Sequence, residues 1–197
     1  MMNRVRIFLT GVGGQGTLTA TTLLANTALA QGLEVVSGEI HGMAQRGGVV
    51  ESTVLIGGYA SPRISQGEAD VILGFEPLET IRALPYLAPG GVVLSSSDPT
   101  PPVGVSSGGD KYPEFGHIQE TVSKQARQVW FLPCRELGLQ AGSSQSGNTA
   151  LLGAACAVGV LPFGVDALEA AVRKFLPAKL VEVNLKALAL GVAAVQA

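Results

Sequence analysis

Gly11-Val12-Gly13-Gly14-Gln15-Gly16 spells G-x-G-x-x-G between the apolar run Val5-Arg6-Ile7-Phe8-Leu9 and a Leu/Ala-rich helical pattern. A turn of that kind captures anions. Glycines let backbone N–H groups approach a phosphate closely, and the N-terminus of the following helix adds a partial positive charge. Gly11, Gly13, Gly14, Gln15 and Gly16 are therefore the candidate cofactor-binding residues, with a nucleotide or coenzyme phosphate as ligand. A second reading needs no ligand, because a tight strand-to-helix turn also requires glycine for packing alone. Glu39 follows at the distance expected of a ribose-binding acid, and it opens the polar loop Glu39-Ile40-His41-Gly42-Met43-Ala44-Gln45-Arg46-Gly47-Gly48. There His41 can exchange a proton near neutral pH, and Arg46 can grip a carboxylate or phosphate with its planar fork. Glu39, His41, Gln45 and Arg46 are the candidate contact residues of this loop, with a substrate on one reading; on the other they bond the loop's own backbone or form a salt bridge to a partner chain.

Other constellations are missing. No lysine follows the glycines as in a Walker motif, no serine sits in a G-x-S-x-G elbow, and the two histidines lack metal-ligand spacing. Cys134 and Cys156 have no C-x-x-C partner, so this chain builds neither a thiolate metal site nor an iron–sulfur cluster. They read as buried free thiols in a reducing cytoplasm, the catalytic residues stay unassigned, and autonomous catalysis finds no support. His117 reads as a solvated loop residue, Trp130 as core, and Ser146 or Asn148 as the cap of the helix that follows them.

Of the 197 residues 47% are hydrophobic and 14% charged, with 13 Lys+Arg against 15 Asp+Glu and a net charge of −2. Nucleic acid is excluded as a partner, since no basic run could neutralise phosphates. So few charges for a whole surface predict that part of it lies against another chain. No apolar run approaches the roughly 18 residues of a membrane span, and Val5 to Leu9 meets glycines without a small-residue cleavage site, so a soluble cytoplasmic protein is expected.

The elements that position these residues follow from periodicity. Strands are predicted at Val5–Leu9, Leu33–Ser37, Val49–Ile56, Ala69–Phe75, Val92–Ser96 and Val129–Pro133, and helices over Leu18–Ala30, from Glu76-Pro77 to about Leu87, and Ile118–Arg127. Asp98 to Pro113, rich in proline, glycine and serine, reads as a long surface excursion. The last third is helical, with candidates at Asn148–Val158, Val165–Leu176 and Leu180–Val195. Two strands, Leu33–Ser37 and Val49–Ile56, follow one another without a helix, so a nicotinamide-type mononucleotide half is not completed. The expected fold is one α/β, three-layer, Rossmann-like domain over residues 1–197, with a mixed sheet and a helical C-terminal portion.

Taken together, Gly11 to Gly16, the H-G-M-A-Q-R-G-G loop at His41 to Gly48, Glu68-Ala69-Asp70-Val71-Ile72-Leu73-Gly74-Phe75-Glu76-Pro77-Leu78-Glu79 and Val183-Asn184-Leu185-Lys186-Ala187-Leu188 resemble the gamma-type domain of 2-oxoacid:ferredoxin oxidoreductases. The wording of the H-G-M-A-Q-R-G-G loop is closer to the stand-alone beta subunits of the indolepyruvate branch than to the pyruvate or 2-oxoglutarate branches. The resemblance implies a subunit, inactive alone, of a complex that decarboxylates a 2-oxoacid oxidatively to its acyl-coenzyme A and reduces ferredoxin. Thiamine diphosphate and iron–sulfur clusters would reside on a larger alpha subunit, no cofactor would be held tightly here, and the glycine turn could seat a coenzyme A phosphate. A homodimer is a natural state of the isolated chain. Two rivals stand beside this: a self-sufficient module that binds a nicotinamide or flavin nucleotide, and a scaffold without a part in turnover.

Overall fold

A computed structural model describes residues 4–41, 48–101 and 111–196, with the side chain of His41 also outside the described set. Six strands form one sheet: β1 (Val5–Val12), β2 (Val35–His41), β3 (Val49–Ile56), β4 (Ala69–Gly74), β5 (Leu87–Ser96) and β6 (Gln128–Leu132), in the order β2-β3-β1-β4-β5-β6. From β1 through β4 and β5 to β6 the pairing is parallel, whereas β3 runs antiparallel to both β1 and β2. The mixed sheet expected from consecutive strands is present. Its cause is topological: a short β2–β3 connection permits only an antiparallel return, and that return inserts β3 between β1 and β2.

Helices cover both faces, so the inner strands read as nearly continuous apolar runs. Val5, Ile7 and Leu9 of β1, with Val71, Leu73, Val92 and Leu94, bury one face against α1 (Thr17–Ala30), α5 (Gly147–Ala157) and α6 (Val165–Phe175). Phe8, Ile72 and Val93 point the other way, toward α2 (Pro77–Ala83) and α3 (Phe115–Gln125). The period of two assigns each residue its face. α5 is apolar all round and buried from Thr149 to Cys156, as a helix must be when it lies between the sheet and α7 (Ala178–Gln196). Gly153 and Gly191 make that crossing close: a Cβ on Gly191 would stand 1.9 Å from the Ala150 carbonyl oxygen, and one on Gly153 2.5 Å from that of Leu188.

Several boundaries differ from the expectation. β2 extends through Glu39, Ile40 and His41, which are strand residues paired with Ser52, Glu51 and Val50 rather than loop. β5 begins at Leu87, with the expected Ala88–Gly91 turn absorbed into a strand irregular opposite Ala69 and Val71. A helix missed from sequence, α4 (Cys134–Ala141), follows β6; its short length and internal Gly138 gave a weak pattern. His117 lies in the first turn of α3, exposed, and not in a loop.

Candidate functional site

β1 leads into α1 on one face and β4 into α2 on the other, so the C-terminal ends of these neighbouring parallel strands form a topological switch point, where open α/β sheets place their ligands. The glycine turn stands there. β1 continues through Val12, the chain turns with φ +96° at Gly14 and +87° at Gly16, and α1 starts at Thr17 without a side-chain cap. Gly16 needs glycine on conformational grounds; Gly11 needs it for space, since a Cβ there would lie 2.9 Å from Thr17 Oγ1 and 3.2 Å from Phe75 Cβ. Part of the anion-binding capacity is already used within the chain. The Gly13 amide donates to the Gly48 carbonyl at 2.8 Å and the Gln15 amide to Val12 at 3.1 Å.

Gln15 is a brace. Its Oε1 accepts from the Val12 amide (2.7 Å), its Nε2 donates to Thr100 Oγ1 (3.0 Å), and its carbonyl accepts from Asn148 Nδ2 (2.6 Å). Neither Asn148 nor Ser146 caps α5 as expected: the amide of Asn148 reaches back to the turn, and Ser146 Oγ donates to Ser143 O. Beyond Thr100 stands Glu76, fully buried at the N-cap of α2. It accepts from the Glu79 amide (2.9 Å), the Thr100 amide (3.2 Å) and the Tyr112 hydroxyl. Three donors satisfy this carboxylate, with no cation paired to it among the described residues. Burial and this hydrogen bond push the Tyr112 phenol well above its ordinary range. Both described ends of the Pro-rich excursion are thereby tied to the switch point. Sequence reading missed Glu76 and Tyr112 as partners, although an acid directly before an N1 proline was a visible capping signal.

A polar cavity of ≈ 340 Å³ lies beside the turn, between Gly14, Gln15 and Asn148 on one side and Asp98, Thr100 and Arg135 on the other. It meets a second, more apolar cavity of ≈ 260 Å³ under Leu23, Leu180 and Val183. Asp98 Oδ2 accepts from the Arg135 amide at the start of α4 (2.7 Å) and so fills that helix N-terminus. Cys134 and Cys156 are buried, and desolvation pushes each thiol up to about 12, which makes them poor thiolate ligands. Among the described residues no group of His, Cys, Asp and Glu could hold a metal, and no helix is long and apolar enough to cross a membrane.

Of the sequence-predicted contact residues, Glu39 does not join this crevice. Glu39 stands on β2, separated from β1 by β3, and lines a different cavity, of ≈ 670 Å³. That removes it from the place a ribose-binding acid would take. Gln45, Arg46 and the His41 side chain lie outside the described residues.

Residues 6–194 match the family described as pyruvate ferredoxin/flavodoxin oxidoreductase. The chain is 38% identical over 188 residues to indolepyruvate oxidoreductase subunit IorB of Archaeoglobus fulgidus, covering 95% of this chain and 94% of that one. With the subunit of the same name from Pyrococcus horikoshii it shares 39% identity over 195 residues, covering 98% and 96%. Its fold is that of the gamma subunit of a keto/oxoacid ferredoxin oxidoreductase from Geobacter sulfurreducens, with a TM-score of 0.70 at 24% identity over 98% of both chains. The pyruvate oxidoreductase subunit PORC of Thermotoga maritima superposes with a TM-score of 0.72 at 21% identity, over 98% and 97%. With a family match over residues 6–194 and subunits named IorB aligned over 94–96% of their length, the chain belongs to the pyruvate ferredoxin/flavodoxin oxidoreductase family as a subunit of the beta or gamma type.

Proposed function

We propose that this chain is the accessory subunit of a cytoplasmic indolepyruvate-type oxidoreductase and that, alone, it does not turn over. The observation that carries the substrate is its kinship along both full lengths with subunits named for indolepyruvate. In this reading an alpha-type partner holds thiamine diphosphate, which supplies the decarboxylation, and iron–sulfur clusters that carry electrons singly to ferredoxin. The chemistry of the chain's own residues supports that division: its two thiols are buried and protonated, and its buried carboxylate Glu76 is saturated by donors from its own chain.

Mixing the chain with the thiamine-bearing subunit and following ferredoxin or viologen reduction tests the assignment. Activity is expected from the mixture alone, with indolepyruvate and phenylpyruvate ahead of pyruvate and 2-oxoglutarate. Turnover by the partner that is unchanged on adding this chain would overturn it. For coenzyme A we propose the crevice at Gly14, Gln15 and Gly16, because α1 begins there without a side-chain cap and both cavities open beside it. A Cβ on Gly14 meets nothing within 4 Å, so Gly14→Asp adds a negative charge without a clash, and Gly14→Asn, which carries the same backbone cost at φ +96°, is the uncharged control expected to keep binding. Calorimetry should then show coenzyme A binding weakened at least about ten-fold. Equal binding by wild type and variant would leave the turn a packing device.

A further inference from the structure

The second face of the sheet is only partly covered. α2 and α3 pack over β1, β4 and β5, whereas over β2 and β3 it meets the segment Pro62–Gln66. Thr53 Oγ1 donates to the Pro62 carbonyl at 2.6 Å, Pro62 presses on Gly38 so closely that a Cβ there would stand 2.9 Å away, and Ile64 is buried. Between this strap and Tyr86, whose ring stacks on Phe8 at 4.5 Å, a trough of ≈ 670 Å³ stays open. Its floor carries Ile40, which is 69% exposed, and Glu51, its neighbour across the β2–β3 ladder.

Three features of this trough point to an occupant. β2 is an edge strand that pairs with β3 and carries Val35, Val36 and Ile40 with no lysine, proline or bulge to discourage further pairing. Glu51 is half-buried, desolvation raises it above the ordinary carboxylate range, and among the described residues no cation or donor offsets its burial. Behind it Glu79 is 1% exposed; one of its oxygens holds Arg82 at 2.7 Å, the other has no donor among the described residues, and burial, with Glu76 and Glu51 adding to it, pushes its pKa upward against the pull of Arg82. An apolar stretch over Ile40, Ile64 and Tyr86 meets Glu51 at the floor, and with Glu39 and Glu51 set against Arg63 the described lining keeps a net negative charge. A basic side chain with a long apolar stem matches it on both counts.

We infer that this trough receives an arginine or lysine of the partner subunit, presented on an extended segment along β2, with its stem over Ile40 and Tyr86 and its cationic head at Glu51. The inference rests on the accessory-subunit reading above, and its test separates the two. Affinity of the full chain for the purified thiamine-bearing subunit is measured at low and high salt for wild type, Glu51→Gln, Ile40→Ser and, as a surface control on α4, Leu139→Ser, each first checked for a cooperative melt. Glu51→Gln is expected to weaken association about ten-fold and to flatten its salt dependence. Ile40→Ser, which removes apolar contact without adding charge, should weaken it with the salt dependence kept, and Leu139→Ser should not weaken it. Wild-type affinity for both trough variants overturns the inference and leaves the accessory role standing, whereas wild type that fails to bind the partner takes down both. If instead the trough variants dissolve a dimer of the isolated chain and leave the partner's affinity unmoved, the occupant is a second copy and the inference falls.

Discussion

Gln15 occupies a variable position of a phosphate-binding motif, and the folded chain uses it to tie β1, α5 and the end of the Pro-rich excursion together. Asn148→Ala removes the 2.6 Å bond to its carbonyl and should cost about 1–2 kcal/mol, read as a melting temperature lower by about 2–4 °C per kcal/mol. The glycines and Gln15 were legible because a motif is local. The meeting of Glu76 with Thr100 and Tyr112 was not, since only the tertiary fold brings together residues so far apart in sequence. Glu51 gives a pH signature. Its folded pKa lies above the unfolded value, so its contribution favours the fold at acid pH and is lost as pH rises through the folded pKa. Glu51→Gln should therefore raise the melting temperature of the isolated chain at about pH 7.5, by about 1–2 °C given solvent screening. No gain is expected near pH 4, and an equal gain at both would sink the assignment of Glu51 as the strained group. The thiols should behave alike: with pKa values pushed up to about 12, Cys134 and Cys156 should resist a disulfide reagent near neutral pH until the chain is unfolded.

At the scale of elements, strands with apolar runs and the long C-terminal helices were read from sequence with the right type and nearly the right ends. β2 was read too short because Gly38, Glu39 and His41 resemble a loop in composition; their extended state comes from pairing with β3, which is a tertiary fact. α4 was missed for a similar reason, its amphipathic pattern being only eight residues long. Helix glycines separate into two kinds that sequence cannot distinguish. Gly191→Ala would drive a methyl into the Ala150 carbonyl and should cost about 2–4 kcal/mol through overpacking. Gly116→Ala, in the first turn of α3 with nothing within 4 Å of its Cβ, should instead stabilise by about 0.5–1 kcal/mol. Paired urea melts check both, and a neutral Gly191→Ala would mean that α5 and α7 can separate without loss.

For the whole molecule, the composition predicts a covered surface, and the trough beside β2 is the place proposed for it. The mixed sheet was legible from two consecutive strands. Its order was not, because nothing in the sequence of β3 states that it will pair with β1 on one edge and β2 on the other. That order carries a cost in time. β1 leaves the ribosome first and is the innermost apolar strand, yet its two neighbours, β3 and β4, begin only at Val49 and Ala69. At synthesis rates of about 5–20 residues per second, Val5 to Leu9 stays without a strand partner for seconds in the nascent chain. Aggregation during expression should start from this segment, and co-expressed chaperones should raise the soluble yield more than lowering the salt or changing the pH.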